Sequence, residues 1–420
     1  MDIVIEQATL LYPDHKYHGQ KVTIRVVDGK IVSIDQKKIN TPDKITGKNL
    51  FVSPGWVDIG AQSGEPGYEH RETLNTLSKA AAFGGYTTLA IFPNTKPALH
   101  SKSEIEFIKQ KSRPLQTEII PIGAISKNCQ GKELAEMIDM HQTGAIAYSD
   151  GKHPVYDPGV IMRAMIYAKH FEGLIINHPN DENISGPGLM HEGAVSQRLG
   201  LKGIPSMAET IMLQRDLRLA QYSDCRYLAH LLSADESVSL IKQAKKSNDK
   251  IFSSVSYLNL VHTDDVLEQF DSIYKQSPPL RTEKDRKELI KGIQDGVLDI
   301  ICSNHTPLEV EKKDLEFAYA DAGTLGLQIC FAALNTKNII SPEAWAYKAA
   351  FKTRQILNLT VPNMVKGSNA DLTIFDTEHE WVYDQKDILS PTINSPFMGS
   401  SFKGKVLVTI SKNKAWLATN

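Results

Sequence analysis

Phe51-Val-Ser-Pro-Gly-Trp-Val-Asp-Ile59 is apolar almost throughout, and it is followed by the amphipathic segment Thr73–Gly84 and a second apolar run, Thr87-Thr-Leu-Ala-Ile-Phe92. Strands covered on both faces lose the polar alternation of a half-exposed sheet. Two such runs joined by a helix-length amphipathic stretch read as a strand–helix–strand unit of a parallel sheet. Working outward, the unit recurs. Apolar runs at Glu118–Gly123, Ala145–Tyr148, Leu174–Asn177, Tyr227–Ala229, Ile251–Val255 and Leu298–Cys302 alternate with amphipathic stretches. The stretches are Ser103–Lys111, Gly159–His170, Met207–Tyr222, Ser237–Lys246 and Glu283–Gly296. Eight runs spread over about 310 residues predict an α/β fold, a (β/α)8 TIM barrel.

The two ends have a different character. Val22-Thr-Ile-Arg-Val-Val27, Asp28-Gly29 and Lys30-Ile-Val-Ser-Ile34 form a hairpin pattern, with β-branched residues around an Asp-Gly turn. Ala370–Phe375 and Lys405–Ile410 are short β-rich runs near the other end. The expected organisation is a small β-sandwich domain composed of residues 1–53 and 366–420, and a barrel over residues 54–365. Composition agrees with a globular protein: charged residues are 23 % and hydrophobic ones 41 % of 420 residues, with net charge −2. That balance supplies no global pull toward phosphate, so no nucleic-acid partner is expected. Cys129, Cys225, Cys302 and Cys330 lie far apart and read as reduced thiols. The first residues lack a basic leader, and no apolar run reaches the 18 residues or so of a membrane span. A cytoplasmic location without membrane contact is the expectation.

In a (β/α)8 barrel the chemistry gathers where strands hand over to loops. The predicted strand ends carry Gly60-Ala-Gln62-Ser-Gly64, Pro93-Asn94, Ser149-Asp150-Gly151, Asn177-His178, Ala229-His230 and Ser303-Asn304-His305. His178, His230 and His305 thus share one rim with Asp150. Neutral imidazoles so placed serve either as zinc ligands or as hydrogen-bonded pocket residues, and the pattern alone leaves both readings open. A hydrolytic centre also needs a base. No carboxylate stands at the loop end of strand one, and the amide of Asn304 takes no proton at neutral pH. There is no P-loop, G-x-S-x-G elbow or G-x-G-x-x-G.

Longer motifs carry a resemblance. Pro54-Gly-Trp-Val-Asp58, Glu65-Pro-Gly-Tyr-Glu-His-Arg-Glu-Thr73, Pro93-Asn-Thr-Lys-Pro97, His191-Glu-Gly-Ala-Val-Ser196, Pro278-Pro-Leu-Arg281, Ala370-Asp-Leu-Thr-Ile-Phe-Asp376 and Asn394-Ser-Pro-Phe397 resemble bacterial dihydroorotases of the amidohydrolase superfamily. The resemblance spans nearly the whole chain. It implies a TIM barrel with a β-sandwich built from both termini, and the interconversion of dihydroorotate and carbamoyl aspartate in pyrimidine synthesis.

The departures shape what the resemblance implies. The family's strand-one H-x-H falls on Gly60 and Gln62, and its substrate-gripping arginine on Gly64. The asparagine before Pro-Pro-Leu-Arg falls on Ser277. The strand-eight D-H-A-P-H falls on Asn304-His-Thr-Pro-Leu308, replacing the catalytic aspartate and a substrate histidine. Asn94 remains as a substrate-binding residue, and Asp150, His178 and His230 as a vestigial metal set, with Gly151 where a second acid often stands. The expectation is a non-catalytic homologue, inactive or very weak, that acts as a structural partner of aspartate carbamoyltransferase and forms homo-oligomers. Two alternatives stand beside it. One is a working cyclic amidohydrolase with a single zinc on Asp150, His178 and His230. The other is a binding module for a pyrimidine precursor. Restoring Gly60→His, Gln62→His, Gly64→Arg and Asn304→Asp together is expected to recover little activity.

Overall fold

A computed structural model describes residues 1–37 and 44–418. Within it the expected alternation is present. Trp56–Ala61, Tyr86–Ile91 and Glu118–Pro121 form one parallel ladder. Leu174–Asn177, Arg226–Ala229, Ile251–Ser256 and Ile300–Cys302 form another. Tyr148 joins the two by pairing with Gly123 on one side and Ile175 on the other. Between the last strand and the first, the Asp58 carboxylate accepts the Ser303 amide at 2.9 Å and its hydroxyl at 2.5 Å, and the Gln62 amide donates to the His305 carbonyl at 2.9 Å.

Local chemistry explains the helices between them. Thr73 caps helix Leu74–Phe83 through a reciprocal capping box with Thr76, and the amide of Gly84 closes its end on Ala80. Asp157 caps Pro158–Lys169, which has proline in its first turn. Thr282 and Asp285 form the box at the start of Glu283–Gln294.

Two expected strands differ. The run Phe51–Ile59 is two strands, Leu50–Pro54 in the terminal sheet and Trp56–Ala61 in the barrel. The break is at Gly55, where a Cβ would overlap Asp371 and Thr87. The run Ala145–Tyr148 forms no full strand: Tyr148 is its bridging residue, the Ile146 amide also donates to the Pro121 carbonyl at 3.1 Å, and the preceding helix Met137–Thr143 ends at a left-handed Gly144 directly before it.

Both chain ends enter one eight-stranded sheet. Leu50–Pro54 lies between Asp2–Leu10, parallel to it, and Leu372–Val382, antiparallel to it. The hairpin Lys21–Val27/Lys30–Asp35 turns at Asp28 and Gly29, both with positive φ, as the sequence predicts. Ile5, Ile24, Leu372, Ile374, Val408 and Ile410 are buried inside this sheet. Trp56 locks it to the barrel: its ring packs 5.2 Å from Phe375, 5.2 Å from Phe331 and 5.3 Å from Trp345. All four cysteines are buried and unpaired with one another. Among the described residues no helix is long and apolar enough to cross a membrane.

Candidate functional site

Beside the end of strand Leu174–Asn177, loop residues enclose a cavity of about 180 Å³ lined by His178, Glu209, Lys275, Gln276, Ser277 and Arg281, among others. His178 follows strand Leu174–Asn177 and His230 follows Arg226–Ala229, so adjacent parallel strands deliver two imidazoles side by side. Of the two, His178 is already committed at both ring nitrogens. His178 Nδ1 lies 3.2 Å from the His230 carbonyl and Nε2 3.3 Å from Ser277 Oγ. A carbonyl only accepts, so Nδ1 carries the proton and Nε2 accepts the serine hydroxyl. Its lone pair, the one a metal would use, is spent within the protein.

His230 shares a hydrogen bond of 2.9 Å with Ser254 through Nδ1, and its buried Nε2 has no partner. That nitrogen meets an apolar ring: Phe92 stands edge-on to His230 with centroids 5.1 Å apart. Burial pushes the His230 pKa down to about 3 and lowers that of His178, so both rings are neutral. Asp150 turns elsewhere. Its carboxylate accepts the Ser126 amide at 2.9 Å and the Ser126 hydroxyl, and burial raises its pKa against those bonds.

Most of the other rim positions are crowded or bonded. Gly60 has φ +90°, and a Cβ there would lie 2.7 Å from both His230 Nε2 and the Phe92 ring. At Gly64 a Cβ would meet the Glu72 carbonyl oxygen at 2.5 Å and its nitrogen at 2.7 Å. The side-chain nitrogen of Gln62 is buried without a partner. Asn94 donates to the Asp150 carbonyl at 3.0 Å and accepts the Lys152 amide at 3.2 Å, so it clamps the turn after the fourth strand. A Cβ at Gly151 would overlap the Asn94 oxygen. Asn304 donates to the Ser277 carbonyl at 3.0 Å. Leu308 is buried, its amide donating to Asn394.

A continuous polar chain therefore runs Asn304, Ser277, His178, His230, Ser254 across the barrel mouth. Asp150, His178 and His230 are not drawn into one ligand set. Among the described residues, no three His, Cys, Asp or Glu side chains are grouped to hold a metal ion. The donors present do not fit the single zinc implied by the resemblance.

His305 belongs to a different arrangement from the other rim histidines. Its Nδ1 accepts the Gly326 amide at 3.2 Å, leaving Nε2 to pair with the buried Glu72 carboxylate at 3.2 Å. His191, in the short strand Met190–His191, lies 3.1 Å from the Arg281 guanidinium. Arg281 also reaches Glu209, whose carboxylate accepts the amides of Ser233 and Ala234. Three participants were not legible as such in the sequence: Phe92, the Glu72–His305 pair, and Lys152. Only Phe92 left a usable signal, as a bulky ring at the end of an apolar run on the rim.

With that geometry in hand, comparison with known proteins is informative. A family described as Dihydro-orotase-like matches residues 49–237. A dihydroorotase from Syntrophus aciditrophicus is 34 % identical over 99 % of each chain. The chain belongs to the dihydroorotase family. Another dihydroorotase, from Bacillus subtilis, is 32 % identical and covers 98 % of this chain and 96 % of its own. An L-hydantoinase from Arthrobacter aurescens superposes with TM-score 0.85 over 100 % of this chain and 98 % of its own, at 22 % identity. That likeness concerns the fold, a TIM-barrel amidohydrolase with its β-sandwich. This dihydroorotase-family chain therefore keeps the family scaffold from end to end, while its rim carries the polar chain just described.

Proposed function

We propose that this dihydroorotase-family chain is a retired enzyme of de novo pyrimidine synthesis that serves as a structural partner of aspartate carbamoyltransferase. One observation carries the loss of catalysis: His178, Asp150 and Asn304 are each held by neighbouring protein groups, where a hydrolase keeps such rim groups free. Opening a cyclic amide with water needs an activated water and a group that receives its proton. The amide of Asn304 cannot be that group, and loss of a general base costs roughly 10²–10⁴ in rate. Gly64 adds a second deficit, since no side chain there grips a substrate carboxylate and positioning is weakened.

Assay of the purified chain with dihydroorotate and added zinc tests the first half. The expected result is no turnover above background. Turnover within about a hundredfold of 10 per second, an ordinary enzyme rate, overturns it in favour of an active amidohydrolase. The partner rests on the family resemblance. Co-elution with the transcarbamoylase at micromolar concentration is expected, and two separate peaks would remove it.

A further inference from the structure

The segments 271–274, 308–314 and 393–398 enclose an open groove of about 470 Å³. Leu308, on which the family's rim histidine falls, is buried and gives the groove an apolar floor. Val310, Ile393 and Met398 line its sides, and all three are exposed. Phe270 and Leu315, adjacent in the chain to groove residues, are exposed as well. Phe270 is also held in left-handed backbone, φ +56°, which a bulky side chain rarely adopts. The walls are tied together. The Ser272 hydroxyl donates to the Lys313 carbonyl at 2.7 Å, and the Leu308 amide donates to Asn394 at 3.2 Å. Contiguous exposed apolar surface around a preformed groove marks an interaction site.

The rim of this groove is acidic. Asp271 and Asp314 stand in its wall, Glu311 and Glu316 follow along the same loop, and all four are exposed. The neighbouring Glu309 is paired with Arg71, whereas among the described residues none of these four is in an ion pair. Lys313 also lines the groove, but it is buried, and its ammonium donates to the carbonyls of Lys275 at 2.9 Å and Asp321 at 3.2 Å. Exposed Lys312 offsets part of the negative charge.

We propose that this groove docks aspartate carbamoyltransferase through a segment of that chain that brings apolar side chains flanked by lysines or arginines. The apolar part covers Leu308, Val310, Ile393 and Met398, and the basic flanks meet the four acids. An apolar centre inside a charged rim of opposite sign is the ordinary anatomy of a specific interface. A second copy of this chain fits poorly, because a two-fold contact would set acidic rim against acidic rim. The proposal rests on the structural-partner reading and gives that reading a surface.

Biolayer interferometry of the full-length chain against purified transcarbamoylase of the same organism tests the proposal. Wild type is expected to bind with a Kd of about 10 µM or tighter. Val310→Glu with Met398→Glu should weaken binding at least about tenfold, as should Asp314→Lys with Glu316→Lys. Tyr222→Glu, an exposed position on the helix Ser206–Ser223, should leave it unchanged. Binding should also weaken as salt rises. Circular dichroism melts show whether each variant is folded. If wild type binds and both folded double variants bind equally well, the groove proposal is overturned while the partner reading stands. If wild type does not bind at all, the partner reading falls and the groove proposal with it. Sedimentation of the chain alone supplies the remaining outcome: self-association abolished by the groove variants would make the groove a contact between copies and overturn the proposal.

Discussion

At Gly64 the backbone of the 68–72 turn leaves no room for a side chain: the Tyr68 amide donates to the Gly64 carbonyl at 2.6 Å, and a Cβ would sit 2.5 Å from the Glu72 carbonyl oxygen. Reintroducing the family arginine is therefore a packing problem before it is a catalytic one. Gly64→Arg should lose about 3 kcal/mol or more of stability, since overpacking against backbone has no cheap relief. A denaturant melt coinciding with wild type would show this packing to be wrong. Asn304 makes the complementary point. Its amide donates to the Ser277 carbonyl, and an ionised aspartate there would present an acceptor to an acceptor. Asn304→Asp is expected to cost about 1–3 kcal/mol at pH 7. The deficit should shrink in acid, where the protonated carboxyl can donate again. An unchanged melt across pH would contradict the bond. Restoration of the lost residues thus meets the physical cost of the arrangement that replaced them.

Among the elements, the seam between the first and eighth barrel strands depends on one buried carboxyl. Burial raises the pKa of Asp58 to about 6, against the bonds from Ser303 and the nearby His305. The folded chain therefore holds this proton more tightly than the unfolded chain between about pH 4 and 6. Stability falls as pH rises through that window, levels off above it, and is recovered as pH drops back through about 6. Asp58→Asn keeps an acceptor for the Ser303 amide and removes the charge. Its melting temperature should match or exceed wild type at pH 8, with a flatter profile from pH 4 to 6; a lower value at pH 8 would show the charge to be stabilising. Most elements flanking this seam were legible from apolar runs and amphipathic stretches. Leu174–Asn177 matches residue for residue, because a buried parallel strand has few ways to be anything else. The first run misled because periodicity does not register a change of partner. Leu50–Pro54 and Trp56–Ala61 are both apolar, yet they serve different sheets, and only the crowding at Gly55 separates them.

For the molecule as a whole, the scaffold was far easier to read than the site. Thirteen histidines suggest an ample supply of metal ligands, but a residue count carries no information about what each nitrogen already touches. His178, His230 and His305 do lie at strand ends as expected, and their hydrogen bonds to Ser277, Ser254 and Glu72 are tertiary facts beyond any spacing rule. These bonds lead to a prediction about global stability. A metal bound only by the folded state adds about 2.7 kcal/mol when present at a hundred times its dissociation constant. Such an ion would have to displace the Ser277 hydroxyl from His178, rotate Asp150 away from Ser126, and move the Phe92 ring from His230. The first two steps give up hydrogen bonds made in buried places, where unmade bonds are costly, and the third gives up ring packing. Thermal melts of the purified chain should therefore coincide with excess EDTA, with added zinc, and with neither. A melting temperature raised by zinc and lowered by the chelator would mean that these side chains rearrange around an ion. That result would reopen the single-metal hydrolase reading at Asp150, His178 and His230.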